Sequence, residues 1–467
     1  MSPPRLAALA ALAALATPVS PLRAETRASY GGAAQASLGS APTSFDPLRG
    51  GPGDAELAAL LFDAPFAIVD GKPRPSLALA LDNPEGATRA RLLLRPELRF
   101  SDGSPLVARD VAASLARALR DPAGWTLAPV KSVRAIGDDA VELELSRPTP
   151  ELALLLATPA AMVTPGGAAP SRRPIGSGAF IVDGSDAQSV RLSANAGCFA
   201  GRPYLATVTL RAFAARGDEA GSYEVGALQA ARHVGGGLDA GGARRPAVAV
   251  DGPQSVTGFV AVGRIADSEL LRRAIALGIN RERLRRLTVR EPATVASGAV
   301  PPALGGAAVK PAYDPGRAKS EVERRWPAAR PKLSLLVDGS RVDDRDIAER
   351  ILADLARVGI DVAIDAVDAA QYQARVDAGR YELYLGAVAS PVPDATLAAL
   401  AMVAAVDPAA ARAALARVAA PLVDVEATRV VPLFHRAARL YVAPELRGLI
   451  VDGAGRAAWA DAHWLAR

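Results

Sequence analysis

The 467-residue sequence contains little of the material from which enzymes and metalloproteins build their sites. Its one cysteine, Cys198, excludes an intrachain disulfide, and with only three histidines there is little material for a metal site. Aromatic residues make up 4% of the chain, so few large rings are available to line a pocket. The formal net charge of +5 is small and dispersed, which does not indicate nucleic-acid binding.

Sequence motifs of the common enzyme classes are also missing. The chain has no HExxH, CxxC or GxSxG, and without GxxxxGK[ST] it has no ATP-binding P-loop of its own. The Gly176-Ser177-Gly178 stretch lacks the third glycine of a dinucleotide fingerprint. His233 precedes a run of glycines, as in an oxyanion loop, but no nucleophile elbow accompanies it, so we interpret it as part of a surface loop. We therefore predict a protein that is not an enzyme and has no catalytic residue, cofactor or metal site.

The N-terminus has the pattern of a secretory signal sequence. Arg5 is followed by an unbroken apolar run over residues 6–16, which is too short to span a bilayer, and Pro18 then breaks the helix. We predict cleavage after Ala24, with Ala28 as a second candidate. No cysteine lies near either site, so no lipid anchor is expected. The alternative is an alanine-rich buried N-terminal helix. A free exported protein of this size suits a Gram-negative periplasm.

The remaining chain is long enough for roughly two to three domain-sized cores and alternates between predicted strands and helices, which favours α/β architecture. Strands are predicted at residues 91–94, 133–136, 141–145, 190–192, 208–210, 332–337 and 360–364. One helix is predicted from Pro105 to Asp121 with Ser104 as its N-cap, and two more begin after the caps Asp267 and Asn280. Further helices are predicted over 343–358, with Gly359 at the C-terminal end, and over 404–420. The strands before and after the 343–358 helix should pair in parallel.

Two glycine-rich loops separate these elements. Residues 166–174, rich in glycine and proline, form a candidate crossing between sub-domains, and residues 235–242 form a flexible loop.

One long segment resembles solute-binding protein family 5, the peptide- and nickel-binding components of ABC importers. Residues 94–111, LRPELRFSDGSPLVARDV, are similar to the family pattern LRxGVxFHDGxPLTAxDV. Further matches keep the order of the family: SFDP at 44–47, PIGSGAF at 174–180, GRPYL at 201–205, LRRAI with INR at 271–281, YDPGRA at 313–318, GIDV at 359–362 and VPLF at 431–434. Together they cover nearly the whole mature chain.

The resemblance implies an α/β, two-lobed periplasmic binding protein of the Venus-flytrap type with an extra N-terminal sub-domain. We expect a signal peptide at 1–24, a first lobe at 25–258 with a sub-domain at about 48–174, a second lobe at 259–431, and a return to the first lobe at 432–467. The crossings are placed near Phe259 and Pro432. A ligand would bind between the lobes, which close around it by a hinge motion.

The departures from the family pattern concern the ligand. Peptide-binding members carry something like GWxADYxxP in the segment that matches residues 386–394, and its Asp anchors the α-amine of the ligand. By position the Trp becomes Ala387 and the Asp becomes Ser390, while Asp394 either replaces the anchor or caps the following helix. The resemblance implies ligand contacts at Phe45, Ala387, Ser390 and Asp394. Another departure is Val107 in place of a capping Thr, which should deprive Asp110 of a reciprocal cap.

We therefore predict a monomeric solute-binding protein that delivers a peptide-like or other small solute to the permease subunits of an ABC importer. The alternative is a periplasmic sensor or chaperone component without its own importer, and a hydrolase is the least favoured reading. The sequence does not name the ligand.

Overall fold

A computed structural model describes residues 28–49, 51–235, 244–264, 266–307, 309–341, 343–417 and 429–465. The predicted signal peptide and most of the glycine loop predicted at 235–242 lie outside these residues. In this part of the chain, no helix combines the length and the apolar character that a membrane crossing requires.

Strands and helices are interspersed along the chain, as expected for the predicted α/β architecture. The strands are β1 (Ala33–Ser37), β2 (Phe66–Val69), β3 (Lys72–Pro75), β4 (Ala78–Asp82), β5 (Arg89–Leu94), β6 (Val130–Ile136), β7 (Ala140–Leu145), β8 (Phe180–Ser185), β9 (Ser189–Ala194), β10 (Thr207–Arg211), β11 (Ala230–Ala231), β12 (Val248–Asp251), β13 (Val256–Val262), β14 (Ala293–Val295), β15 (Lys332–Asp338), β16 (Asp361–Val367), β17 (Leu383–Ala389), β18 (Val430–Arg436), β19 (Arg439–Val442), β20 (Leu446–Arg447), β21 (Ile450–Val451), β22 (Ala457–Ala458) and β23 (His463–Trp464). The helices are α1 (Pro52–Leu61), α2 (Ala108–Arg120), α3 (Leu152–Leu155), α4 (Arg216–Glu224), α5 (Glu269–Gly278), α6 (Arg281–Thr288), α7 (Pro315–Arg325), α8 (Asp344–Arg357), α9 (Ala369–Asp377), α10 (Ala395–Ala404) and α11 (Pro408–Arg417).

Three sheets organise these elements. A seven-stranded sheet has the order β12-β19-β11-β1-β10-β9-β8, and a six-stranded sheet has the order β14-β18-β13-β17-β15-β16. A smaller sheet, β4-β5-β7-β6, packs against α2 and shares a hydrophobic core with it. The seven-stranded and six-stranded sheets have separate cores, so the molecule consists of two lobes with the small sheet as an additional unit.

The chain passes between the two large sheets twice. It leaves the seven-stranded sheet after Asp251 and enters the six-stranded sheet at Val256; it returns between Arg436 and Arg439. Phe259 and Pro432, at which the crossings are placed from the sequence, are partners in the ladder between β13 and β18. We propose that the lobe boundaries lie at these two short connections, a few residues from the positions expected from the sequence.

The helix after the Ser-Asp-Gly turn begins later than predicted. Its first residue is Ala108 rather than Pro105, and Ser104 is not its cap, because the Ser104 hydroxyl donates to Asp102 at 2.6 Å. Residues 104–106 are extended instead, with the Leu106 amide donating to the Leu98 carbonyl at 2.9 Å. This backbone pairing competes with the helical conformation and delays the helix by one turn.

The sequence predicts that Asp110 lacks a reciprocal cap, and the structure shows that only part of the capping box is missing. Its carboxylate still accepts the backbone amide of Val107 at 3.0 Å, which is half of a capping box. Its other oxygen accepts the amide of Gly166 at 2.9 Å, so Asp110 also fixes the loop that follows the small sheet. The valine at position 107 therefore removes one hydrogen bond and leaves the acidic side chain in a structural role.

Helix boundaries in the second lobe agree with the sequence at most positions. Asn280 caps α6 as predicted, and Gly359 has a φ of +84°, the left-handed conformation expected at a helix end. The cap of α5 is Ser268 rather than Asp267; the Ser268 hydroxyl accepts the Leu271 amide at 3.1 Å. Asp267 pairs with an arginine of that helix instead.

The parallel pairing predicted around α8 is confirmed, since β15 and β16 pair in parallel over seven residues of each strand. The alanine-rich helix predicted at 404–420 corresponds to α11, which begins at Pro408, four residues after the end of α10; residues 418–420 of the prediction lie outside the described residues. Pro408 lacks the amide that would continue α10, and the Asp407 carboxylate accepts the Ala410 amide at 3.0 Å, which starts α11.

One buried histidine makes the stability of the six-stranded sheet dependent on pH. His435 of β18 is 3% exposed, and its Nδ1 lies 2.8 Å from the Thr257 hydroxyl of β13. Burial lowers the pKa of His435 to about 4. Because the unfolded value is about 6.5, the unfolded chain binds more protons below that pH, and stability falls as the pH decreases from about 6.5 to about 4.

We expect this histidine to account for about 2–3 kcal/mol of the free energy of unfolding lost over that interval. Urea titrations at a series of pH values measure the loss. His435→Gln, which stays neutral, should flatten the dependence in this interval. An unchanged slope in the variant would show that other groups cause the acid sensitivity.

Candidate functional site

A cavity of about 1090 Å³ lies between the lobes. Residues of the seven-stranded sheet unit, including Leu38 and His233, form one side, and residues of the six-stranded sheet, including Phe259 and Tyr384, form another. Trp125, which follows α2, belongs to the small-sheet unit and also lines it. Each of the three units thus contributes to the cavity wall.

The four residues implied as ligand contacts differ in their relation to this cavity. Ala387 and Ser390, at the end of β17, line it. Phe45 packs against the core of the seven-stranded sheet. The Asp394 carboxylate accepts the Leu397 amide at 2.8 Å, so the interpretation of Asp394 as the cap of α10 is confirmed. As ligand contacts, all four remain predictions.

Ser390 occupies the position at which the family pattern has an acidic anchor. It is 3% exposed, and its hydroxyl donates to the backbone carbonyl of Val392. The proton of the hydroxyl is therefore used within the loop, which leaves the oxygen only acceptor capacity toward a ligand. At position 390 the site has no negative charge with which to hold an ammonium group.

Aromatic rings build the wall beside β17. Tyr384 packs edge-to-face against Phe259, Tyr372 and Tyr381, with ring centroids 4.7 to 6.3 Å apart. The hydroxyls of Tyr372 and Tyr384 donate to backbone carbonyls at 2.7 and 2.8 Å, and burial raises the pKa of both, so they stay neutral. Gly386 makes room for these rings, because a Cβ there would lie 2.6 Å from Phe259 Cζ. The 4% of aromatic residues is thus partly concentrated at this wall.

A buried carboxylate that the sequence analysis did not single out shapes another wall. Asp54, 1% exposed, accepts the backbone amides of Thr43, Ser44 and Gly51 at 2.7, 3.0 and 2.9 Å. It thereby holds the loop that contains the SFDP motif, and Pro47 of that loop lines the cavity. Asp54 lies three residues after Gly51, in the first turn of α1. An acidic residue at this position is typical of a capping box, so the sequence does contain a signal for its role.

Charged side chains in the cavity wall occur mostly in ion pairs of opposite sign. The pairs in which both partners line the cavity include Arg49–Asp121, Arg232–Glu56, Arg264–Asp407, Arg341–Asp344 and Arg436–Glu291. Since each of these arginines is compensated by a neighbouring carboxylate, these pairs give the wall little net charge of either sign.

His233 lies in the irregular segment that follows β11, and its side chain lines the cavity. Its side chain is 14% exposed and lies between two carboxylates. Nδ1 is 2.7 Å from Glu219 Oε2, and Nε2 is 3.3 Å from Asp343 Oδ1. Burial lowers the pKa of His233, but hydrogen bonds and charges of Asp343 and Glu219 outweigh it and raise the pKa to about 9.

Comparison with protein families gives a match over most of the chain. Residues 72–405 match the model of the bacterial extracellular solute-binding proteins, family 5. The curated sequences include one similar protein, the uncharacterized protein YhjP of Bacillus subtilis, which is 32% identical over 137 residues. That segment is 29% of this chain and spans only 23% of YhjP.

Solved structures with the same fold cover nearly the whole chain. The murein tripeptide binding protein MppA of Escherichia coli has a TM-score of 0.80 at 16% identity and covers 94% of this chain and 100% of its own. The binding protein AgaA of A. tumefaciens R10, in complex with agropinic acid, has a TM-score of 0.79 at 19% identity; the match covers 90% of this chain and 95% of AgaA. A dipeptide-binding protein of Pseudoalteromonas sp. SM9913, in complex with Met-Leu, has a TM-score of 0.79 at 16% identity; the match covers 93% of this chain and 100% of that protein. The expected two-lobed fold of periplasmic binding proteins is confirmed.

Proposed function

The chain belongs to the bacterial extracellular solute-binding proteins of family 5, and we propose that it binds a small solute between its lobes and delivers it to the permease of an ABC importer. The family and the fold are those of binding proteins rather than enzymes. The observation that carries the proposal is the cavity of about 1090 Å³ whose wall is built from both lobes. Two short connections join the lobes, so a hinge motion can open the cavity to admit a ligand and close around it.

The size and charge of the cavity support a small, polar ligand of low net charge. Its volume is close to the upper end of the range of roughly 300–1,000 Å³ that is typical of small-molecule sites. The ion pairs in the wall compensate one another, so a strongly charged ligand gains little from them. One structural relative is in complex with the dipeptide Met-Leu and another with agropinic acid. We propose a peptide-like solute whose amide or hydroxyl groups, rather than a free ammonium group, are recognised at Ser390.

Substitutions at Asp394 and Ser390 test this assignment. Because Asp394 caps α10 and asparagine caps about as well, Asp394→Asn should leave ligand affinity nearly unchanged. Ser390→Asp restores a carboxylate at the position of the family anchor and should strengthen binding of free-amine dipeptides by about tenfold or more, since a charge-assisted hydrogen bond contributes about 1.5–3 kcal/mol. Calorimetry with Met-Leu and with its N-acetylated form compares the two ligand types. A tenfold loss in Asp394→Asn, or no gain in Ser390→Asp, would contradict the assignment.

The location of the binding site is tested with a matched pair of substitutions in the same sheet. Ala387 of β17 lines the cavity, so Ala387→Trp places an indole where the ligand should lie. Ala363 is exposed on the edge strand β16, and Ala363→Trp is the control. We expect the first variant to change the affinity for a solute from a small-molecule cell extract by about tenfold or more, and the control to bind like the wild type. Equal binding by all three proteins would exclude this cavity as the site.

We also propose export to the periplasm with cleavage after Ala24, supported by the sequence order Arg5, apolar run and Pro18. N-terminal sequencing of the protein from a periplasmic fraction should begin near Glu25. Retention in the cytoplasm with Met1 intact would contradict export.

A further inference from the structure

One carboxylate of the second lobe is held by two cations of the first. Asp343 directly precedes α8 of the six-stranded sheet unit, and both Arg216 and His233 of the seven-stranded sheet unit contact it. We propose that these contacts form an inter-lobe latch, consisting of Arg216, His233 and Asp343, which holds the cleft closed in the ligand-free protein. This inference rests on the two-lobed fold and not on the identity of the ligand, so it can fail or hold independently of the proposed function.

The geometry of the latch is that of direct ion pairing. Arg216 Nε lies 2.8 Å from Asp343 Oδ1, and Arg216 Nη1 lies 2.9 Å from Oδ2 of Asp346, one turn further along the same helix. His233 Nε2 lies 3.3 Å from Asp343 Oδ1. A single arginine thus contacts two carboxylates of the opposite lobe, and the histidine adds a second cation to one of them.

Each partner is fixed within its own lobe. Arg216 is the first residue of α4, which packs against β11, and His233 follows β11. His233 is oriented by Glu219, which is 3% exposed and also accepts the backbone amide of Arg232 at 2.6 Å. Asp343 is fixed by its backbone, whose carbonyl accepts the Ile347 amide at 3.2 Å at the start of α8. Because His233 and Asp343 are held in place, opening the cleft must separate these two charges.

Partial burial makes the pairing stronger than an ordinary surface ion pair. The side chains of Arg216, His233 and Asp343 are 19%, 14% and 17% exposed. Screening by solvent and salt is weaker at such positions than at the surface. Burial alone would raise the pKa of Asp343, but His233, Arg436 and Arg216 outweigh it and hold that pKa well below its usual range.

The charged groups around His233 come from every element that faces it. The first lobe contributes Glu219 and Arg216 of α4 and also Arg232, the residue before His233. The second lobe contributes Asp343 and Asp346 at the start of α8, Arg436 of β18, and Glu291. Arg436 lies 3.9 Å from Asp343 and pairs with Glu291. The carboxylates among them raise the pKa of His233 to about 9, so the histidine is a cation at neutral pH and loses its charge above about pH 9. Arg216 keeps its charge throughout that range.

A second contact, between α11 and the small-sheet unit, does not depend on this titration. Ala411 and Leu415 of α11 belong to the hydrophobic core of the small-sheet unit, and the Arg412 guanidinium donates to the Asp121 carbonyl at 2.6 Å. This contact stays the same between pH 7 and pH 10, so a change in closure within that interval reports on the latch.

The different titration of the two cations gives a specific test. Protein stripped of bound solute by unfolding and refolding is measured by small-angle X-ray scattering at pH 7 and pH 10. The wild type should stay compact at both values because Arg216 remains charged, with a radius of gyration of roughly 22 Å for about 440 residues. Arg216→Gln should be compact at pH 7 and expanded at pH 10, with a midpoint at or above about 9, because His233 is then the only cation of the latch.

Two further variants complete the test. The double variant Asp343→Asn with Asp346→Asn, which removes both carboxylates that Arg216 contacts, should be expanded at both pH values, and His233→Gln should be compact at both. Glu349→Gln, which removes an exposed ion pair within α8, is the control and should behave like the wild type. Circular dichroism checks that each variant is folded. A folded double variant (Asp343→Asn with Asp346→Asn) that has the radius of gyration of the wild type, or Arg216→Gln without any change between pH 7 and pH 10, would overturn the latch.

Discussion

Gly176→Ala should destabilise the protein by about 3 kcal/mol, because the backbone of a neighbouring helix leaves no room for a methyl group. A Cβ at position 176 would lie 1.9 Å from the Leu61 carbonyl oxygen and 2.9 Å from the Leu61 carbonyl carbon. A backbone atom cannot move aside as the end of a long side chain can. The same carbonyl accepts the Gly178 amide at 2.9 Å, so any shift also weakens a hydrogen bond.

The control for this prediction is Gly103→Ala. Gly103 has a φ of +86°, but no atom lies within 4 Å of its hypothetical Cβ, so only the backbone conformation opposes a side chain, at a cost of about 1 kcal/mol. Urea denaturation measures both variants against the wild type. Equal losses in the two variants would mean that the segment around Gly176 moves away from α1 to accommodate the methyl group, contrary to the structure.

Asp54→Ala should lower the free energy of unfolding by about 3–5 kcal/mol and also weaken ligand binding. The substitution leaves the amides of Thr43, Ser44 and Gly51 without their acceptor, and these amides shape the loop that lines the cavity. Asp54→Asn keeps one acceptor oxygen and should lose less. We expect both effects together, because the Asp54 carboxylate fixes a loop that is part of the fold and also lines the cavity.

Denaturant titration and calorimetry measure the two effects of the Asp54 variants. Asp102→Ala is the control, since Asp102 organises an exposed turn by accepting hydrogen bonds from Ser104. We expect that control to bind ligand like the wild type. If Asp54→Ala lost stability but bound ligand with unchanged affinity, the loop at 43–51 would not contribute to the binding site.

The sequence was sufficient to predict those helices and strands whose ends depend on residues close to them in the chain. The apolar face of residues 343–358 and the glycine at 359 predict α8 and its end, and both are present because the same residues that pack also terminate the helix. Ser104-Pro105 failed as a helix start because a backbone bond between Leu106 and Leu98, formed in the folded chain, overrides the local preference. Asp267 and Ser268 are both good caps, and their sequence alone does not decide between them.

Candidate site residues were predictable only where the resemblance supplied an aligned position. Ala387 and Ser390 follow from the order of motifs and do line the cavity. The pairing of Asp343 with Arg216 and His233 joins parts of the chain that are distant in sequence and lie in different lobes, so no local pattern indicates it. For the same reason the packing of Phe45 against the core of the seven-stranded sheet depends on the tertiary fold.

Native mass spectrometry tests the central claim, that the cavity between the lobes binds a small solute without changing it. The refolded, solute-free protein is equilibrated with the fraction of a cell extract below about 1 kDa, a size that fits a cavity of this volume. We predict one bound solute per chain, recovered chemically unaltered after denaturation, with affinity changed by about tenfold or more in Ala387→Trp and normal binding in Ala363→Trp. The absence of any bound solute, recovery of an altered one, or equal binding by both variants would contradict the claim.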